Sequence, residues 1–86
     1  MQQETITIIR KLLTDALTPT SLEIIDESAD HIGHPGAAAG GGHYRVIISA
    51  AIFEGKKRVQ QHRLINAALA DLFKHEIHAL AIEIRA

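Results

Sequence analysis

Cysteine is absent from the 86 residues, and tryptophan with it. Without a thiol the chain cannot build a disulfide scaffold, do thiol redox chemistry or hold a metal cluster through sulfurs of its own. The absence fits a reducing compartment, and a cytoplasmic location is expected. Aromatic residues are scarce: Tyr44, Phe53 and Phe73 complete the set. The core is therefore aliphatic, and too few rings are available to stack successive bases of a single-stranded nucleic acid. A strong charge of either sign is also missing. The formal net charge is −1, which excludes a globally basic nucleic-acid binder. No basic start followed by an apolar stretch marks a signal peptide. The longest uncharged run, Ile32 to Tyr44, is too short to span a bilayer. No membrane role is expected.

What is plentiful is histidine, six residues in a chain this short. Imidazole is the commonest protein metal ligand, and its unperturbed charge changes near neutral pH. Four of the six fall where they can converge. His31, His34 and His43 lie in or beside a glycine-rich segment, and His78 heads the last strand-like run.

The length implies one small domain over residues 1–86. The spacing of Ile6, Ile9, Leu13, Ala16 and Leu17 predicts a helix from Thr5 to Leu17, stopped by Pro19. Ser21 to Ser28 reads as a strand, with Ile25 breaking the alternation as in double-sided burial or a bulge. Ala29 to Gly42 reads as a long loop with five glycines, and loops of that length are more often functional than structural. A second strand is expected from His43 to Phe53. A second helix is expected from Val59 to Phe73, with Ile65, Leu69, Leu72 and Phe73 as its core stripe. The last strand spans Ile77 to Arg85, and parity places His78 in one row with Leu80, Ile82 and Ile84. The first two strands should pair antiparallel. The helix-containing connection to the third is long enough for a parallel crossover, right-handed by rule. The expected fold is α/β, of the α+β kind, in the order α-β-β-α-β. Its three-stranded mixed sheet has the order 1-2-3, with both helices on one face.

The glycines match neither a P-loop nor a dinucleotide fingerprint. His75-Glu76-Ile77-His78 falls one residue short of a zinc-protease motif and straddles a strand start. No nucleophile or paired acid–base arrangement is recognisable, so the chain is not expected to be an enzyme. His62 reads as a structural histidine bonded to backbone, His75 as solvated near a helix end, and His34 as solvated in a loop. For His43 a hydrogen-bonding role weighs at least as much as ligation. His31 and His78 form the pair of interest. Two imidazoles leave a metal incompletely coordinated, so such a site needs further ligands from another molecule. Between Glu54 and Arg63 the chain carries Lys56, Lys57, Arg58 and Arg63 against one acid. Beside a helix start these four can bind nucleic-acid phosphate. They can equally be a solvated helix start that keeps the domain soluble.

Several stretches occur together and in order: Asp26-Glu27-Ser28, His43-Tyr44-Arg45-Val46, Phe53-Glu54-Gly55-Lys56, His62-Arg63-Leu64-Ile65-Asn66 and Ile77-His78-Ala79-Leu80. With His31 in the loop, they resemble the BolA family over nearly the whole chain. One departure is Gln61, where the family usually has the first arginine of Arg-His-Arg; the change removes a positive charge. The resemblance implies a fold similar to the class II KH domain. It implies a partnership with a monothiol glutaredoxin, with which such proteins share a [2Fe–2S] cluster. In that heterodimer the C-terminal histidine, here His78, ligates iron. A second ligand comes from the loop, with His31 the best positional match and His34 a weaker one. The glutaredoxin cysteine and glutathione complete the cluster; alone, the protein is expected to be a colourless monomer. The resemblance equally implies a stress-linked, DNA-binding transcriptional regulator of cell morphology. Here that role would use Lys56, Lys57, Arg58 and Arg63.

Overall fold

The structure is a computed structural model, and it describes residues 2–27 and 42–85. Helix α1 spans Gln2–Leu17, strand β1 Ser21–Asp26 and strand β2 Gly42–Ser49. A single 3-10 turn, Ala51–Phe53, leads into helix α2, Arg58–Ala68. A second 3-10 segment, Ala70–Lys74, precedes strand β3, Ile77–Ile84. β1 and β2 pair antiparallel, β2 and β3 pair parallel, and the sheet order is β1-β2-β3. This is the expected fold, with β3 parallel to β2 as expected.

Period-two burial in β2 organises the molecule. Tyr44, Val46 and Ile48 are sealed against the helices, while His43, Arg45, Ile47 and Ser49 occupy the opposite, open face. Ile9, Leu13 and Leu17 from α1, Ile65 from α2 and Leu69 just past its end close over that row. Leu72, Phe53 and Ile77 seal the ends of the same core. It is aliphatic except for Tyr44 and Phe53. Fully burying each such side chain contributes about 1.5–3 kcal/mol of transfer free energy.

The structure corrects several boundaries. β2 ends at Ser49 rather than Phe53, because Ala51–Phe53 turns to bury Phe53 under the core. The second helix gives way at Leu69 to 3-10 geometry, which keeps Leu72 inside and leaves Phe73 39% exposed, outside the core stripe. Ala16 is exposed on α1. Ile25 marks no bulge; it pairs in register with Arg45 on the open face and is half-buried.

The bulge lies elsewhere. Gly42 pairs with Ile77, but His43 pairs with Ala79, so one residue of β3, His78, is extra. Ile77 takes the core-facing place and is 2% exposed. His78 is exposed and does not share the row of Leu80, Ile82 and Ile84 that parity assigned to it. An inserted residue re-aims the side chain at the insertion, which is the usual use of a bulge beside a site.

Candidate metal centre

Two histidines meet at the N-terminal ends of the adjacent parallel strands β2 and β3. The ring centroids of His43 and His78 lie 5.1 Å apart and the planes are tilted by 50°. Backbone bonds tie the neighbouring chain segments together here. The Gly42 amide donates to the Glu76 carbonyl at 2.9 Å, and the Glu27 amide donates to the His43 carbonyl at 2.7 Å. The first bond anchors β2 to the residue before β3, and the second extends the β1 pairing to the level of His43. His78 is exposed, whereas the Nε2 of His43 is shut off from solvent.

Gly42 allows this arrangement. The ring of Tyr44 folds back over it, and a Cβ at position 42 would stand 2.6 Å from Tyr44 ring atoms. Tyr44 is 2% exposed, and its phenol shares a hydrogen bond with Thr5 of α1, itself buried. Burial pushes the phenol pKa up; the Thr5 bond opposes this, and the nearby charge of Asp26 adds to the rise. One aromatic residue thus locks the end of β2 that carries His43 to the first helix.

Charge pairing continues along the open face. The Arg45 Nε donates to the Glu27 Oε2 at 2.8 Å, with both side chains partly shielded. That carboxylate bond holds the guanidinium pKa above its ordinary value.

The donor set is short. No group of three or more histidine, cysteine or acidic side chains among the described residues is placed to hold a metal ion. His31 and His34 lie outside the described residues. His75 follows the second 3-10 segment and is exposed, and His62 is half-buried on α2. Two imidazoles suit a metal or cluster whose other ligands arrive with another molecule. The sequence places His43 among the four histidines able to converge but pairs His78 with His31, because unbroken parity directs His78 to the face of the sheet opposite His43. Ile77 and Leu80, three residues apart, share the core side of the strand only through an insertion between them, and apolar spacing alone does not say that they share it.

The basic residues lie at the opposite end of the sheet. Lys57 precedes the first turn of α2, where its amide donates to Gln60 Oε1 at 3.0 Å. Lys57, Arg58 and Arg63 are exposed. Lys56 is exposed but turned back, its Nζ donating to the Ile52 carbonyl at 2.8 Å. Gln61 uses its amide to donate to the Phe53 carbonyl at 3.0 Å, closing the turn before α2. No helix among the described residues is long and apolar enough to cross a membrane.

Comparison with known proteins agrees with this architecture. The family model described as BolA-like protein matches residues 13–86. BolA-like protein 1 of Homo sapiens is 43% identical over 77 residues, 90% of this chain and 54% of that protein. The chain thus spans about half the length of that relative. The DNA-binding transcriptional regulator BolA of Vibrio cholerae is 39% identical over 75 residues, 87% of this chain and 68% of that protein. Among solved structures, the BolA domain of SufE1 from Arabidopsis thaliana superposes with a TM-score of 0.80 at 38% identity, covering 92% of this chain and 87% of the other. Fold, motif order and sequence identity converge, and the chain belongs to the BolA-like protein family.

Proposed function

We propose that this chain is an adaptor that docks on a monothiol glutaredoxin and supplies imidazole ligands to a shared [2Fe–2S] cluster. The observation that carries this reading is the convergence of His43 and His78, with His78 exposed at a bulge and the two rings 5.1 Å apart. Imidazole nitrogens cannot retain a cluster by themselves, but they can complete one presented by the partner's cysteine and glutathione. Replacing thiolates by neutral imidazoles removes negative charge and raises the potential of such a cluster, as in Rieske centres.

His78 is the first ligand in this reading. The second is His43, already beside it, or His31, which the family resemblance favours. The Arg45–Glu27 pair borders the site and holds β1 against β2, so that His43 is presented from a fixed strand.

A nuclear magnetic resonance titration with cluster-loaded monothiol glutaredoxin tests this. Signals of His78 and of one further histidine should broaden in the field of the paramagnetic cluster, and Ala substitution of that second histidine should abolish the effect at its position. Perturbation confined to α2, with both His43 and His78 unmoved, would contradict the assignment.

A second reading, DNA binding, is supported by exposed Lys57, Arg58 and Arg63 and by the name of the Vibrio cholerae relative. It uses the opposite end of the sheet from the histidines, so the two roles are separable by mutation.

A further inference from the structure

Among the described residues β3 lies at the edge of the sheet, and no strand pairs with its outer side. The Arg85 amide donates to the Ile48 carbonyl at 2.9 Å. Alternation along the strand therefore turns the backbone of Ala81, Glu83 and Arg85 toward β2 and that of Leu80, Ile82 and Ile84 outward. The register, with Tyr44, Val46 and Ile48 beside Leu80, Ile82 and Ile84, has the same parity. The side chains of these three residues lie on the core side yet stay half-buried, while their neighbours on β2 are sealed. Proteins blunt exposed edges with proline, lysine or bulges. From Ala79 to Ile84 there is neither proline nor lysine, and the one bulge lies before this stretch, at His78.

We propose that β3 pairs antiparallel with β3 of a second copy of this chain, about a two-fold axis at Ile82, to give a continuous six-stranded sheet. The strand is self-complementary about that residue. Leu80 faces Ile84 of the second copy, Ile82 faces Ile82, and Ile84 faces Leu80. The three aliphatic pairs cover the half-buried row, and the same three positions carry the outward backbone groups. On the open face Ala81 meets Glu83 and Ala79 meets Arg85, so no like charges stand opposite each other. Glu83 is also neutralised within its own strand by Arg85, whose Nε donates to it at 2.7 Å. A single strand edge and three aliphatic pairs bury less than the roughly 1,200 Å² of a stable interface, so the association is weak and reversible. This pairing is independent of the proposed cluster site.

Ile82→Cys places the only thiol of the chain on the proposed axis. Opposed Cα atoms in a hydrogen-bonded antiparallel pair lie about 5.5 Å apart, within disulfide range. Mild oxidation at millimolar protein should cross-link Ile82→Cys several-fold faster than Val59→Cys, whose side chain is exposed on α2. Equal rates overturn the proposal. The unsubstituted chain gives a second measurement that no folding defect can spoil. Mixed labelled and unlabelled protein should show intermolecular contacts between Leu80 and Ile84 methyls. A purely monomeric sedimentation profile at the same concentration, or contacts at another surface, overturns it.

Discussion

His43 and His78 are neighbours only because β3 carries one residue more than β2 at this point: Gly42 pairs with Ile77 and His43 with Ala79. The inserted residue is His78 itself. A regular ladder would give its side chain to the core, and the bulge gives it to the ring of His43 instead. The geometry of the candidate centre is thus a property of backbone register, and side-chain chemistry follows from it.

The Tyr44 ring over Gly42 makes that register sensitive to a single methyl. Gly42→Ala would set a Cβ 2.6 Å from the ring, and overpacking of this kind costs about 1–3 kcal/mol. Chemical denaturation should show the loss as a lower midpoint with an unchanged slope. The contact between His43 and His78 should loosen in parallel, read as a change in their nuclear Overhauser effects.

The buried phenol of Tyr44 also sets an upper pH limit. Its pKa in the fold is raised above 10.0, first by burial. The folded state therefore holds the proton more tightly than the unfolded chain. The associated stability is fully present below the unfolded value and is lost as pH rises through the folded one. Stability should fall above about pH 10, the ordinary tyrosine value, and Tyr44→Phe should flatten that part of the profile. At neutral pH the same variant should lose about 0.5–1.5 kcal/mol through the missing bond to Thr5.

Thr18 ends α1 with φ of 48°, a left-handed conformation that a β-branched residue adopts at a cost of about 1–2 kcal/mol. Thr18→Gly removes that strain but adds chain entropy to the unfolded state. A net gain below about 1 kcal/mol is expected, seen as a rise in Tm of a few degrees.

The exposed cations at the start of α2 offer a separable test of DNA binding. If they neutralise phosphates, log affinity should fall linearly with log salt, with a slope of about −0.9 for each phosphate neutralised. Lys57→Ala or Arg58→Ala should each reduce that slope by about one contact. A Lys56→Ala change should matter less, because its ammonium is already bonded to Ile52. Absence of binding at low salt would remove this role.

Much of the fold is legible in the sequence because its signals are local and consistent. Ile9, Leu13 and Leu17 repeat at helical spacing, Tyr44, Val46 and Ile48 alternate, and the connection from β2 to β3 is long enough for a crossover. The failures share a physical cause. Ala51-Ile52-Phe53 continues the apolar pattern of β2, yet tertiary burial of Phe53 turns the chain there. Phe73 fits the helical stripe, but the helix tightens after Ala68 and leaves it outside. His78 fits strand parity, but parity holds only for an unbroken ladder. His31 and His34 fall in a segment outside the described residues, and their part in the centre is decided by experiment.

The decisive measurement is the visible absorption and circular dichroism spectrum on adding this chain to a cluster-loaded monothiol glutaredoxin. The unsubstituted chain should shift the cluster bands as imidazole replaces a thiolate, and His78→Ala, folded to the same melting profile, should leave them unshifted. An unaltered spectral change with His78→Ala would show that the cluster is not ligated here, and the assignment of this end of the sheet would fall.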